Sequence, residues 1–170
     1  SFEVNGNIIN ESIKNAKLVG EFSNKDIDVE PDYEYSDYED SRYKVKMITE
    51  LKVGEALDRD IKATRAGDKI QIGMYFLSDK EVIKHLIDAA NRGVEIRMIL
   101  DRNKDAFGMD TNGLPNKPVA KEIMKKTKNK VQIKWYFTNG EQFHTKYMKI
   151  EKKNGTVIIN GGSSNFIRKN

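Results

Sequence analysis

The fold is decided by residues 69–100, which read KIQIGMYFLSDKEVIKHLIDAANRGVEIRMIL. The first nine residues place apolar side chains on both faces of an extended chain, which predicts a strand buried on both sides. Ser78 and Glu81 have the spacing of a capping box, which predicts the start of a helix. One apolar stripe runs along this helix, formed by Val82, Ile83, Leu86, Ile87 and Ala90. Gly93 ends the helix, and residues 94–100 predict a second strand.

The same alternation continues on both sides of this stretch. Further elements follow from the same patterns, namely strands over 44–49 and 131–137 and helices over 54–65 and 117–126. Residues 144–151 and 156–160 predict a hairpin, because Asn154-Gly155 between them is a preferred hairpin turn. Strands that alternate with helices are joined by crossovers and run parallel. The predicted fold is therefore α/β, with a mixed, largely parallel sheet flanked by helices.

The chain has two parts of contrasting composition. Residues 26–40, DIDVEPDYEYSDYED, hold eight acidic and no basic side chains, a charge of −8. The whole chain carries +4, so the remaining residues carry +12. We therefore predict a poorly defined N-terminal segment over 1–42 and an α/β domain over 43–170. A basic body suits nucleic acid or an anionic membrane surface, although a well-solvated lysine-rich surface explains the charge equally well.

Composition argues against several classes of site. There is no cysteine, which excludes disulfides, thiolate metal sites and cysteine nucleophiles from this chain. The two histidines are His85 and His144, which argues against a site with several histidine ligands, so we expect neither a metal nor a cofactor. His85 lies beside the apolar helix stripe and is expected to be a partly exposed surface residue.

Signals of cellular location are few. No stretch reaches the ~20 apolar residues that a membrane-spanning helix needs, and no signal-peptide pattern is present. The chain starts at Ser1 rather than Met, and we expect it to be a piece of a longer parent, to which a leader or membrane anchor could belong. The expected location is cytoplasmic or membrane-associated.

The predicted hairpin carries the residues that point to chemistry. Residues i and i+2 of a strand face the same way, so His144 and Lys146 are expected to project side by side, roughly 7 Å apart. This pair suits phosphoryl transfer, because an imidazole can attack phosphorus while an ammonium neutralises the phosphoryl oxygens. After the second strand, Gly161 and Gly162 let the backbone approach a phosphate, and Asn165 offers amide donors to an oxyanion.

These residues form two motifs with a characteristic spacing. His144-Thr145-Lys146, followed after four residues by Glu151, resembles the H-x-K-x4-D motif of the phospholipase D superfamily. The run GSSN at 162–165 resembles the G-S-x-N that follows it in that superfamily. The likeness covers residues 44–170, and within the superfamily this sequence resembles the bacterial cardiolipin synthase-like proteins.

The resemblance implies a role for each matching position. His144 matches the nucleophile that forms a phosphohistidine, or its general-acid partner. Lys146 and Asn165 match the pair that binds the phosphate. Ser163, together with Gly162, matches the serine-containing run that supports the substrate phosphate or its neighbours.

The sequence departs from the family pattern in three respects. Glu151 replaces the motif aspartate, at a position that we expect to support the structure rather than the chemistry. The connection from Glu151 to Gly162 is a few residues longer than usual, which we attribute to residues 152–155. One motif is present, whereas the family builds its site from two facing motifs, in one long chain or in a homodimer. We therefore expect a second motif from a longer parent chain or from a homodimer partner.

The expected function is that of a phosphodiesterase or phosphatidyltransferase that acts on phospholipids at a membrane surface, through a covalent phosphohistidine and without a metal. A nuclease on the same scaffold is one alternative, in which seven lysines among residues 117–134 track a phosphate backbone. A non-catalytic interaction module that keeps the fold is another. Taken alone, His144 fits a histidine at a strand start and Lys146 a surface lysine, but their occurrence together with Asn165 favours the enzyme.

Overall fold

The computed structural model describes residues 52–102, 116–137 and 141–166, with isolated positions at 13, 17 and 48. The chain divides into two units, Ser1–Glu50 and Leu51–Asn170, and nearly all of the described residues belong to the second. The predicted acidic stretch 26–40 and all but one residue of the predicted strand 44–49 lie outside the described residues.

Three helices and five strands make up the described part of the second unit. The helices are α1 Lys52–Lys62, α2 Lys80–Asn91 and α3 Asn116–Lys126. The strands are β1 Lys69–Met74, β2 Glu95–Leu100, β3 Gln132–Trp135, β4 Lys146–Glu151 and β5 Val157–Gly161. Each element begins and ends close to its predicted boundaries. Within this part of the chain, none of the helices is long and apolar enough to cross a membrane.

The five strands form one sheet in the order β3-β2-β1-β4-β5. Strands β1, β2 and β3 are parallel to one another, and the connections between them contain α2 and α3. Strand β4 runs antiparallel to both β1 and β5. The predicted α/β fold with a mixed, largely parallel sheet flanked by helices is therefore confirmed, and so is the hairpin of β4 and β5.

The core is built from alternate strand residues and one face of each helix. In β1, Ile70, Ile72 and Met74 are almost completely buried and belong to the same cluster as the apolar stripe of α2. Lys69 is exposed and Gln71 is half-buried. The expectation that this strand is buried on both sides is therefore wrong for its first half, because polar side chains alternate there with the apolar ones.

The start of α2 corrects the predicted capping box. The N-cap is Asp79, whose carboxylate accepts hydrogen bonds from the backbone N–H groups of Glu81 at 2.9 Å and Val82 at 3.3 Å. Ser78 lies one residue too early, and its own N–H donates to the carbonyl oxygen of Phe166 at 2.9 Å. The two candidate caps are adjacent in sequence, and only the path of the backbone decides which side chain reaches the first turn.

His85 corrects a second expectation, because it is buried rather than partly exposed. Its Nδ1 atom lies 3.0 Å from Oδ1 of Asp58 on α1, and Glu81 lies on its other side. Helix α1 packs against α2 and covers the side of α2 that carries this histidine. His85 is therefore a structural residue between two helices.

We predict that Asp79→Ala lowers the free energy of unfolding by about 1 kcal/mol, because the first turn of α2 loses its cap. Ser78→Ala is the matched control and should change it by less than about 0.5 kcal/mol, as surface substitutions commonly do. Urea unfolding followed by circular dichroism measures both values. A larger loss for Ser78→Ala than for Asp79→Ala would restore the capping box that the sequence suggested.

Candidate functional site

The candidate residues other than Glu151 come from one edge of the sheet. The parallel strands β1, β2 and β3 all end at this edge. Strand β4 begins at it, because Lys146 pairs with Met74, and β5 ends at it, because Gly161 pairs with Tyr147. The carboxyl edge of parallel strands is where α/β sheets bind ligands. The fold thus brings the two segments that carry the motifs together at the carboxyl edge of the sheet.

His144 is exposed and lies two residues before β4. The expectation that His144 and Lys146 share a strand is therefore wrong, because regular pairing begins only at Lys146. The imidazole meets the edge of the Tyr75 ring, with 4.9 Å between ring centroids and 63° between ring planes. The N–H of Tyr75 also donates to the carbonyl oxygen of Thr145 at 2.8 Å. His144 is thus an accessible imidazole held against the end of β1.

Lys146 is a buried cation, with 7% of its surface exposed. Its Nζ donates to the carbonyl oxygen of His144 at 3.1 Å and lies 5.1 Å from the centroid of the Tyr75 ring. Burial lowers the pKa of the Lys146 ammonium below its ordinary value, because removal from water disfavours the charged form. An anion bound beside Nζ would offset this cost, so the site favours binding of a negatively charged group.

Asn165 and the run before it provide neutral donors. Asn165 is half-buried, and its Oδ1 accepts a hydrogen bond from the N–H of Phe76 at 3.3 Å. This contact orients the amide, whose NH2 group carries two donors. Ser163 and Gly162 are exposed in the bend after β5. Among the described residues, none has an atom within 4 Å of an ideal Cβ at Gly162, so in this part of the chain the backbone there is open to approach by a ligand.

Glu151 lies at the opposite end of β4, where it pairs with Lys69 and Val157. It lies five positions along the strand from Lys146, which corresponds to roughly 17 Å. Its carboxylate forms an ion pair with Lys149. The hydrogen bond from Lys149 lowers the pKa of the Glu151 carboxyl. The structure therefore does not bring Glu151 to the other candidate residues, and its contacts are those of a residue that supports the strand.

Sequence reasoning missed a buried amide that ties this edge together. Asn116, the first residue of α3, is wholly buried. Its Nδ2 donates to the carbonyl oxygens of Tyr75 at 2.6 Å and Asp101 at 3.1 Å, and its Oδ1 accepts from the N–H of Leu77 at 2.9 Å. Asn116 therefore joins the ends of β1 and β2. Its sequence signal is weak, whereas Asp101 could have been noticed as the residue directly after a predicted strand.

The chemistry available at this edge follows from three groups. They are an exposed imidazole, a buried ammonium and a side-chain amide, which together suit a tetrahedral oxyanion. Among residues 52–102, 116–137 and 141–166, no three histidine, aspartate or glutamate side chains come together as a metal site.

Known proteins resemble this chain in sequence and in fold. The family described as "Cardiolipin synthase, PLD-like domain" matches residues 58–170. Nuc from Salmonella typhimurium, a phospholipase D family member of known structure, is 20% identical with a TM-score of 0.45, over 67% of this chain and 64% of that one. Polyphosphate kinase from Porphyromonas gingivalis is 14% identical with a TM-score of 0.40, over 59% of this chain and 15% of that one. The chain thus spans less than two thirds of either structure, and no curated protein sequence matches it significantly.

We predict that Lys146→Met weakens sulfate binding at least about tenfold, because a hydrogen bond to a charged group contributes roughly 1.5–3 kcal/mol. Lys149→Met is the matched control, since it removes the same charge from the other face of β4 and should leave the affinity within about twofold. Titration of backbone amide resonances by NMR measures both affinities. Equal losses in the two variants would mean that sulfate responds only to net charge.

We also predict a pH dependence of this binding. The Lys146 ammonium must be charged to hold sulfate, and its pKa is lowered by burial from 10.5. Sulfate affinity should therefore fall as pH rises, and the fall should begin at a lower pH than an ordinary lysine would cause. Sulfate keeps its charge over this pH range. Lys146→Arg is the control, because its guanidinium group stays protonated throughout. A flat profile for the native chain would contradict the prediction.

Proposed function

This chain belongs to the cardiolipin synthase, phospholipase D-like domain family, a family of phosphodiesterase type, and on that premise we propose that it cleaves or transfers phospholipid phosphodiesters through a phosphohistidine on His144. The observation that carries the proposal is that exposed His144 and buried Lys146 are in contact at the carboxyl edge of the sheet, where Asn165 also lies. Each residue has the chemistry that one step of phosphoryl transfer requires.

In the proposed first step, a neutral nitrogen of His144 attacks phosphorus. A nitrogen–phosphorus bond forms, the bond to one ester oxygen breaks, and the departing alcohol takes a proton from a general acid. In the second step, water or another alcohol attacks the phosphohistidine and gives its proton to the same group, now acting as a base. The nitrogen–phosphorus bond breaks and His144 is restored. Hydrolysis and phosphatidyl transfer differ only in the acceptor.

The neighbours of His144 would stabilise the charge that develops on phosphorus. Lys146 would interact with a non-bridging oxygen, and this interaction is strong because Nζ is already withdrawn from water. The NH2 group of Asn165 would bind a second oxygen, with Ser163 and the backbone at Gly162 beside it. These groups provide a cation and donors for the phosphoryl oxygens, so we propose that the reaction needs no metal.

The general acid for the leaving group would come from a second motif. His85 does not supply it, because it is buried between α1 and α2 against Asp58. We propose that a longer parent chain or a homodimer partner contributes a second histidine. In an isologous dimer, the two copies of His144 would face each other across the two-fold axis.

A phospholipid is the first choice of substrate. The matching family is described by a phospholipid-synthesising enzyme, and the +12 charge outside the acidic stretch would attract an anionic lipid surface. We accordingly expect the protein to work at a membrane surface or in the cytoplasm next to one.

A nuclease on the same site is the second candidate. One observation favours it, because Lys117, Lys121 and Lys125 are all exposed and follow each other at intervals of four on α3. Such a row could follow a nucleic-acid backbone. Cleavage of nucleic acid would then weaken steeply with added salt, whereas lipid turnover would depend on the membrane surface presented.

We predict a covalent adduct on His144 when the parent chain or homodimer that supplies the second motif is mixed with phosphatidylglycerol vesicles and quenched without acid. Intact-mass spectrometry should show an increase equal to a phosphatidyl group, unchanged by a metal chelator and absent from His144→Ala. His85 is the other histidine of this sequence, so His85→Gln is the matched control and should keep the adduct. Single-stranded DNA serves as the second substrate.

The outcomes separate the candidates. A nucleotidyl adduct on His144 would replace the lipid proposal by the nuclease. No adduct with either substrate, in the presence of a parent chain that supplies the second motif, would leave the acid role for His144 or the non-catalytic module.

A further inference from the structure

His144 lies in a stretch that has no regular secondary structure. Residues 141–145, which we call the His144 segment, form neither helix nor strand. No ladder of sheet hydrogen bonds holds them, yet a nucleophile must be held within a fraction of an ångström of its productive position. The contacts of the two residues that flank His144 explain how the segment is held.

Phe143 is held by a buried carboxylate. Its N–H donates to Oδ2 of Asp101 at 2.7 Å. Asp101 follows β2 directly and is completely buried. Its own N–H donates to the carbonyl oxygen of Met74 at 3.2 Å, and its carbonyl oxygen accepts from Nδ2 of Asn116. The backbone of the residue that carries this carboxylate is therefore itself hydrogen-bonded to β1 and α3.

The ring of Phe143 is held on two further sides. An ideal Cβ at Gly73 would lie 3.3 Å from Cζ of Phe143 and 3.1 Å from Cγ2 of Thr145, so the ring packs where β1 has no side chain. On another side Phe143 stacks on Tyr136, with 4.7 Å between centroids and 18° between planes. Tyr136 in turn donates its hydroxyl hydrogen to Oε1 of Glu141, at the start of the same segment.

The residue after His144 is held by β1. The carbonyl oxygen of Thr145 accepts from the N–H of Tyr75 at 2.8 Å. The imidazole thus sits between two peptide groups, one bonded to the end of β1 and the other to the carboxylate that follows β2. The bond to Asp101 is thus what ties the backbone of Phe143 to the end of β2.

We propose that Asp101 is a positioning residue for His144, which holds the nucleophile in place through the N–H of Phe143. As far as catalysis is concerned, this inference rests on the proposed function. Asp101 would not touch the substrate. Its effect should appear in the rate of the chemical step rather than in substrate binding, because the backbone of Lys146 is paired with β1 and Asn165 is bonded to Phe76.

The same chain contains a matched control at the other end of β4. Asp68 is also buried, and its Oδ1 accepts from the N–H of Lys153 at 2.8 Å. Burial would raise the pKa of the Asp68 carboxyl, but the N–H groups of Lys153 and Arg65 hold it below its ordinary value. Asp68→Ala and Asp101→Ala therefore remove the same kind of bond, at opposite edges of the sheet.

The test compares Asp101→Ala, Asp101→Asn and Asp68→Ala in the full chain. We expect Asp101→Ala to slow phosphohistidine formation about 100-fold at saturating substrate, as a displacement of about 1 Å can do, with KM changed less than about threefold. Asp101→Asn keeps an oxygen acceptor and should recover most of the rate. Asp68→Ala should lose similar stability in urea and keep the native rate.

A second readout does not depend on activity. The nuclear Overhauser contact between the Tyr75 and His144 rings should disappear in Asp101→Ala and persist in Asp68→Ala. If no phosphohistidine forms when the second motif is present, the proposed nucleophilic role of His144 fails, and this ring contact alone decides whether Asp101 positions His144. If Asp101→Ala does not fold, Gly73→Ala, which displaces Phe143 without removing a carboxylate, should weaken the contact and slow the rate roughly tenfold. A native ring contact with a rate within threefold of native in Asp101→Ala would overturn the proposal, and if that variant does not fold, the same result in Gly73→Ala would do so.

Discussion

Strand β4 pairs antiparallel with β1 in a register that sets Lys146 opposite Met74, and the geometry of the candidate site depends on this pairing. Met148 and Ile150 lie on the same face of β4 as Lys146 and are completely buried. A slip of one residue would turn both toward the outer face, at a cost of roughly 1.5–3 kcal/mol for each side chain exposed. Packing of the core therefore sets the position of the cation, and Tyr75, at the end of β1, reaches both Lys146 and His144 as a result.

Buried polar groups at both ends of β4 hold the segments that enter and leave it. Asp101 binds the N–H of Phe143 before the strand, and Asp68 binds the N–H of Lys153 after it. A buried polar group without a partner costs about 1–3 kcal/mol, so these bonds are strongly favoured once the sheet has formed. The edge that carries the candidate site holds a third such group, Asn116, which bonds the backbone after β1 to the backbone after β2. The same buried groups would therefore serve both stability and the proposed function at this edge.

The exposure of His144 fits the proposal that a second motif completes the site. An imidazole open to solvent can receive a bulky diester, but in the proposed reaction the effect of Lys146 on phosphorus would be strongest when water is excluded. A second half that supplies the general acid would also cover this edge. The excess of positive charge outside the acidic stretch favours an anionic substrate without distinguishing lipid from nucleic acid, because each presents phosphates.

The sequence by itself determined the α/β class and the positions of the elements, and it singled out His144, Lys146 and Asn165 as candidates, because periodicity and motif spacing are local properties of a chain. Only the tertiary structure decided that Asp79 rather than Ser78 caps α2, that His85 is buried, and that Glu151 lies far from the phosphate-binding candidates. It also revealed Tyr75, Asp101 and Asn116, whose importance comes from hydrogen bonds and ring contacts across the carboxyl edge of the sheet. Such contacts join residues that are distant in sequence. They form only when the strands pair and the helices pack over the core, so no local sequence pattern predicts them.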